Sequence, residues 1–317
     1  MTSSRRRLIL DALALGLVAA GGLALSIDLS VRDARPFWAR VFYAIPLPLA
    51  AALFVAAALL WLGNGRRVVA AVTVLLAALT AILWTRGAYH THACAPGAGS
   101  LQVMMWNTAR GLGGWSTVAR RVAASQADII GLVEAGGSGA DRREFWSRHF
   151  PGYEVHLPGA GLAILTRGHL VQHRMLRLPG NSSCCEAWIE IDGRLIRLLL
   201  VDAVVRPFTD RRPVLSQVLE LASSNPDTPT IVMGDFNTPV DSVWFDPLRA
   251  DFVHAFEEAG NGFMATWPVP LPVLALDHVW VSREMRVRCA QIGWTWTSDH
   301  RPVLVQVDLG EMSAERK

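Results

Sequence analysis

The sequence predicts an α/β domain behind a membrane anchor of three helices, and three observations lead there. Residues 1–86 carry three long apolar stretches, residues 101–310 alternate strand-length apolar runs with helical patterns, and charge divides unevenly between the two parts. The length of 317 residues also exceeds the roughly 250–300 that one hydrophobic core usually fills, so a domain plus a further unit is expected.

The apolar stretches run over about 8–31, 41–62 and 68–85, and the last two are uncharged over close to the ~20 residues that a bilayer core demands. The first is interrupted by Asp11 and Asp28, which bracket the uncharged run Ala12–Ile27 behind Arg5, Arg6 and Arg7. No small-residue cleavage pattern follows it, so an uncleaved anchor is preferred to a signal peptide, and the two aspartates are read as interface-level ends. Arginines at 5–7 and 66–67 fall on one side of such an anchor, against 32, 35, 40 and 86 on or near the other. That placement favours a cytoplasmic N-terminus and puts everything after residue 86 outside the cytoplasm. Residues 87–100, rich in Gly, Ala and Pro, read as a linker, and 311–317 as a C-terminal tail.

Residues 1–99 hold nine arginines and three aspartates, net +6; the remaining 21 Lys+Arg and 24 Asp+Glu give residues 100–317 a net −3. The basic character therefore belongs to the anchor. A slightly acidic soluble part lacks the phosphate-neutralising surface from which proteins gain affinity for long nucleic acids. The four cysteines, Cys94, Cys184, Cys185 and Cys289, match no zinc spacing, and no disulfide pairing is assigned to them.

From Leu101 onward the pieces follow in order. LQVMMWN (101–107) reads as a strand, Trp115–Gln126 as a helix, ADIIGLVEA (127–135) and GLAILTR (161–167) as strands. AWIEIDG (187–193) and RLIRLLLVDAVV (194–205) read as a hairpin turning at Asp192-Gly193. PVLSQVLELA (213–222) begins a helix with proline in its first turn; TIVMGDFN (230–237), LDHVWVS (276–282) and PVLVQVDL (302–309) are further strands. At the ends of these runs stand Asn107, Glu134, Asp235, Asn237, Asp277 and the pair Asp299-His300. Each alone is explained by a turn, a cap or a satisfied polar residue. Together, on separate strands, they predict one polar edge.

These segments, WN at 106–107, DIIGLVE at 128–134, GDFN at 234–237, LDHVWVS at 276–282 and SDHRPV at 298–303, resemble the motifs of the endonuclease/exonuclease/phosphatase superfamily, whose members share the DNase I-like fold. The resemblance covers residues 101–309 and implies a four-layered sandwich of two packed β-sheets flanked by helices, with the active site at one end. It also implies phosphoric ester hydrolysis assisted by a hard divalent cation held by oxygen ligands, Mg²⁺ with Mn²⁺ as the alternative. Glu134 is the expected direct ligand, with Asn107 and Asp299 adding oxygens. Asp235 would activate the attacking water, Asn237 would donate to a phosphate oxygen, and their i, i+2 spacing on a strand would put both on one face. His300 would contact the phosphoryl group, with Asp277 orienting its ring.

Two departures stand out. Val204 occupies a place where many relatives have histidine or tyrosine, and Arg206, two positions on, is the candidate replacement as a phosphate contact. Ala109 stands where some nuclease relatives carry aspartate. The apolar, proline-rich MATWPVPLPVLALDHV (264–279) precedes Asp277, with Trp267 as a candidate substrate or bilayer contact. TWP followed by a DH strand also resembles the membrane-anchored branch of the superfamily that includes VanJ-type proteins. The expected substrate is a phosphorylated or pyrophosphorylated lipid or another small phosphate ester at the membrane; an extracytoplasmic nuclease and a catalytically silent binding module are the alternatives.

Overall fold

The computed structural model describes residues 3–94, 97, 99–204 and 210–309. It divides into two compact units, residues 1–89 and 90–317.

The first unit holds α1 (Ser3–Ser30), α2 (Pro36–Ala44), α3 (Leu47–Gly63) and α4 (Arg67–Ala88). Helices α1 and α4 are each long and apolar enough to cross a membrane, whereas the expected second span is broken. Its two parts, α2 and α3, meet at a 66° bend, because Pro46 cannot continue the helix and disfavours helical backbone at Ile45. Small residues let α1 approach α3 closely: a Cβ on Gly21 would lie 3.1 Å from the Phe54 ring. Asp11 accepts hydrogen bonds from Asn64 (2.7 Å) and Arg66 (3.1 Å) at the α3–α4 turn.

The second unit continues with β1 (Tyr89–Thr91), β2 (Leu101–Asn107), α5 (Trp115–Ala124), β3 (Ile129–Val133), α6 (Ala140–His149), β4 (Glu154–Gly159), β5 (Leu162–Thr166), β6 (His169–Arg177), β7 (Ser183–Ile191) and β8 (Arg194–Asp202). It then runs through α7 (Arg212–Ser223), β9 (Thr230–Asp235), α8 (Leu248–Asp251), β10 (Phe252–His254), α9 (Ala255–Ala259), β11 (Asn261–Phe263), β12 (Asp277–Ser282), β13 (Met285–Ile292) and β14 (Val303–Leu309). Two six-stranded sheets result, ordered β13-β14-β2-β3-β5-β4 and β10-β12-β9-β8-β7-β6. Each is mixed, with one parallel pair at its centre, β2–β3 in the first and β8–β9 in the second.

Alternation along the strands builds the layers. Val103, Met105 and Ile129 of the first sheet share one buried core with Leu198, Leu200, Ile231 and Met233 of the second. On the outer face of the first sheet Met104, Trp106 and Ile130 pack on α5 and α6 through Val118, Val122 and Trp146. On the outer face of the second, Leu199, Val201 and Val232 pack on α7 through Val214 and Val218. This is the DNase I-like α/β arrangement of two mixed sheets flanked by helices. The sheets touch closely at their centres: a Cβ on Gly131 would lie 2.4 Å from the Met233 methyl.

The β7–β8 hairpin turns where expected, with Asp192 at φ 51° and Gly193 at φ 71°, both in the left-handed region that a two-residue turn requires. The stretch read as a linker is tied down instead. Helix α4 runs to Ala88, the His92 N–H donates to Gly260 O (3.1 Å), and Cys94 is disulfide-bonded to Cys289. Cys184 and Cys185 are buried and free. The C-terminal tail expected over 311–317 lies outside the described residues.

Candidate active site

Register places the acidic residues. Asp202 at the end of β8 is paired with Asp235 at the end of β9, and Asp235 with Asp277 at the start of β12. Paired residues on neighbouring strands share a face, so three carboxylates form a row across the end of the second sheet. The close β8–β9 approach requires Gly234, where a Cβ would lie 2.0 Å from Val201 O. The first sheet supplies the opposite wall: β2 ends on Asn107, and Glu134 follows β3 with φ 53°. Thr108 joins these two ends, its hydroxyl donating to Glu134 O (2.8 Å) and its N–H to Val133 O (2.9 Å).

Within this cleft Asn107 Nδ2 donates to Asp235 Oδ2 (2.8 Å), fixing one carboxylate oxygen. The Asn107 Oδ1 accepts from the Ala109 N–H (2.9 Å), which leaves it one lone pair for a cation. The other Asp235 oxygen accepts from the Asn237 N–H (2.9 Å). Asn237 therefore reaches the site by a tight turn, φ 47°, beyond the end of the strand, and not by the strand alternation that its spacing suggested. Its Nδ2 donates to Ala203 O (2.7 Å), and among the described residues its second N–H has no partner.

Facing Asp235, His300 is bonded through Nδ1 to Asp277 Oδ2 (2.8 Å) and presents Nε2 3.9 Å from Asp235 Oδ2. Ser298 fixes the segment, its hydroxyl donating to Asn107 O (2.8 Å) and accepting from the His300 N–H (3.0 Å). Burial by itself would lower the His300 pKa, but the Asp277 charge and hydrogen bond outweigh it and raise the ring to about 10. Asp235 is also pushed up, to about 8, first by burial and then by the Asp277 charge, which for a carboxyl favours the neutral form. The site thus holds a persistent imidazolium beside a carboxyl of raised pKa, an arrangement suited to acid–base work on an anionic substrate.

Among the described residues Asp277 Oδ1 is buried without a hydrogen-bond partner. Asp235, Asp277 and His300 lie near enough to share an ion, yet His300 Nδ1 already holds Asp277 Oδ2. A hard divalent cation is better served by oxygens than by that ring, and those nearby are the Asn107 carbonyl and Glu134 on the first sheet's wall and Asp202 in the row on the second, whose carboxyl feels the Glu134 charge. Glu134 is 30% exposed and pairs with the exposed Arg110 (3.1 Å), a contact that solvent screens. Asp299 accepts from the Trp267 indole N–H (3.2 Å), so Trp267 is half-buried against the site wall.

Of the predicted residues, Asn107, Asp235, Asn237, Asp277 and His300 are joined in one cluster, Trp267 lies 6.4 Å from the His300 ring with Asp299 bonded to it, and Glu134 stands at the end of β3 beside Thr108; Arg206 lies outside the described residues. Val204 lines no catalytic contact, its N–H donating to the Ser182 hydroxyl (3.0 Å). Two residues escaped the sequence reading. Asp202 has its pKa raised to about 6 by burial and then by the Glu134 charge, and it also feels Arg110 and His300. Asp202 ends β8 as Asp235 ends β9, but in the sequence the apolar residues that follow it continue the run past that end. Arg110, at φ 54°, carried no such signal.

A carboxylate row opposite a carboxylate-backed imidazolium, at the open end of two packed mixed sheets, defines a hydrolase of the DNase I-like class. The chain belongs to the Endonuclease/Exonuclease/phosphatase family, whose model matches residues 105–300. Members of that family are phosphoric ester hydrolases that generally use divalent metal ions. Among solved structures it resembles the human Nocturnin catalytic domain with bound sulfate (21% identity, 68% of this chain and 97% of that one, TM-score 0.54). It also resembles D. rerio TDP2 complexed with single-strand DNA product (13%, 67% and 100%, TM-score 0.56). A third likeness is to a mannosyl-6-phosphatase of Bacteroides thetaiotaomicron (20%, 66% and 100%, TM-score 0.50). At these identities the likeness is one of fold. No curated protein matches the chain in sequence.

Proposed function

We propose that this protein is a membrane-anchored phosphohydrolase, dependent on Mg²⁺ or Mn²⁺, that acts outside the cytoplasm on a phospholipid, an isoprenoid-lipid pyrophosphate or another small phosphate ester. The observation that carries the reading is the approach of Asp235 to the Asp277–His300 dyad, 3.9 Å apart, close enough for both groups to reach one phosphoryl centre and the water that attacks it. When bound, the cation supplies charge neutralisation at the phosphoryl group. Asp235, ionised and held by Asn107, takes a proton from the attacking water as its oxygen bonds to phosphorus, while the P–O bond to the leaving group breaks and the departing oxygen takes a proton from solvent. His300, charged by Asp277, donates to a phosphoryl oxygen, and the second Asn237 side-chain N–H donates to another. Glu134, Asp202 and Asp299 would hold the cation.

The anchor reading is supported by α1 and α4, and by α2 with α3 if that bent pair makes one crossing. Arginine placement then puts the second unit outside, and the Cys94–Cys289 disulfide suits an oxidising compartment. The likeness of TWP and the following DH strand to VanJ-type proteins supports a lipid substrate. The nuclease reading draws on the structural neighbour bound to DNA product, and the −3 charge of residues 100–317 weighs against it.

The test is phosphate release by detergent-solubilised full-length protein with Mg²⁺, comparing polyprenyl pyrophosphate, phospholipids, nucleotides and DNA, with Asp235→Asn as the blank. EDTA is expected to abolish turnover. Glu134→Gln is expected to weaken Mn²⁺ binding, read by calorimetry, by at least the ~10–100-fold that loss of a mere outer-shell partner costs. Undiminished activity in Glu134→Gln would sink the proposal.

A further inference from the structure

Three loops frame the candidate active site, and four of the exposed large apolar side chains of the second unit lie on them, the three most exposed among them. Leu112 is 76% exposed, Leu271 76%, Trp296 72% and Trp294 41%. The loops are laced together: the Gly113 N–H donates to Thr297 O (2.9 Å), and the Val269 N–H donates to Asp299 O (2.9 Å). Gly113 abuts Thr297 so closely that a Cβ there would lie 2.6 Å from Thr297 Cα, which sets Leu112 beside Trp296. The two indoles meet edge to face at 5.6 Å, and Arg121 donates to Trp294 O.

Exposing four large apolar side chains on one rim is costly in water, and nothing in their own packing explains it. The rim also has a cationic border, the exposed Arg110, Arg120 and Arg121. Aromatic rings at the tips of rigid loops with arginines around them match the chemistry of a lipid headgroup region, which takes indoles into its interface and pairs guanidinium with phosphate. Helices long and apolar enough to cross a membrane lie in the same chain, and they make a bilayer the natural occupant of such a rim. We propose that Trp294, Trp296, Leu112 and Leu271 form an interfacial docking rim that inserts into an anionic bilayer and brings the cleft onto a phosphate carried by a membrane lipid. The rim deepens the phosphohydrolase reading and rests on it for its purpose. Trp267, packed against Asp299, belongs to the cleft wall and not to this rim.

Full-length protein in phosphatidylcholine–phosphatidylglycerol nanodiscs provides the test, with a nitroxide on Trp296→Cys. The native cysteines do not compete for the label, being buried or disulfide-bonded. The control is Leu195→Cys, exposed at the far end of β8 and roughly 23 Å from Asp202 along the strand. The label at 296 is expected to favour collisions with oxygen over a water-soluble nickel chelate, and the label at 195 the reverse. Equal nickel accessibility at both would overturn the proposal.

Kinetics supply a second readout. Leu112→Ser with Trp296→Ser is expected to raise KM for a lipid phosphate in mixed micelles about tenfold, with p-nitrophenyl phosphate turnover unchanged. Equal loss on both substrates, or on neither, would count against the rim. A native chain that cleaves neither substrate would refute the phosphohydrolase reading, while the nitroxide measurement would still decide the docking.

Discussion

His300 and Asp235 sit 3.9 Å apart with opposed requirements, and their order of titration sets the pH behaviour. Asp235 must be ionised to take a proton, so activity is lost as pH falls through its pKa, raised to about 8 by burial and Asp277. Added Mg²⁺ stabilises the carboxylates and moves that acid limb to lower pH. His300 must stay protonated, so activity is lost as pH rises through about 10. Asp277→Asn removes the charge that raises His300, and the alkaline limb of a pH–rate profile is expected to move down. An unmoved limb would mean that His300 does not act as the cation. At this scale the sequence was informative wherever a polar residue ended an apolar run, as at Asn107, Glu134, Asp235 and Asp277. Asp202 is followed in the sequence by further apolar residues, and only strand register put it in a row with Asp235 and Asp277. The apolar rim left no sequence signal, because Leu112 and Trp296 look like core residues until burial is known.

Strong apolar alternation made most central strands readable, with bounds that differ by up to four residues: the run read over 101–107 is β2, 302–309 shortens to β14, and 187–193 extends back to Ser183 as β7. Polar elements at the margins were not. Edge strand β6, HLVQHRMLR, exposes most of its residues, and α6, ADRREFWSRH, buries little besides Trp146, so neither shows a clear period. The second apolar stretch is two helices where hydropathy predicts one, because hydropathy does not register that Pro46 divides it. One element carries the site's architecture, the parallel β8–β9 pair, which brings Asp202 level with Asp235. Gly234→Ala would force a methyl against Val201 O, a backbone atom that cannot turn aside. The expected loss is ~3 kcal/mol or more, seen as a fall in Tm of about 6–12 °C for a domain of this size. A full-length variant with native Tm would show that the strands can part at no cost. Arg197, fully buried, ties β8 to Glu186 (2.7 Å) and to the last carbonyls of α7, so the same strand also anchors a flanking helix.

For the molecule as a whole, the Cys94–Cys289 bond fastens the start of the second unit to β13 across 195 residues of chain. Cys94→Ser is expected to lower stability by ~2–4 kcal/mol, read from urea unfolding followed by tryptophan fluorescence. A reducing agent should bring the native chain to the same value. An unchanged midpoint would show that this closure contributes nothing. No pairing could be assigned from sequence, since four cysteines leave the partners open and only proximity, 4.6 Å between the two Cα atoms, selects Cys94 and Cys289.

The sequence by itself determined the class of fold, the split between an apolar helical unit and an α/β unit, and the identity of most polar residues at strand ends. Those follow from periodicity, hydropathy and short motifs, which are local properties of the chain. Tertiary structure alone decided which ends meet, which lone pairs Asn107 has left, why Asp202 joins the row and where exposed tryptophans border the cleft. Each of these depends on register between strands far apart in the chain, and register is set by how two whole sheets bury their faces against one another.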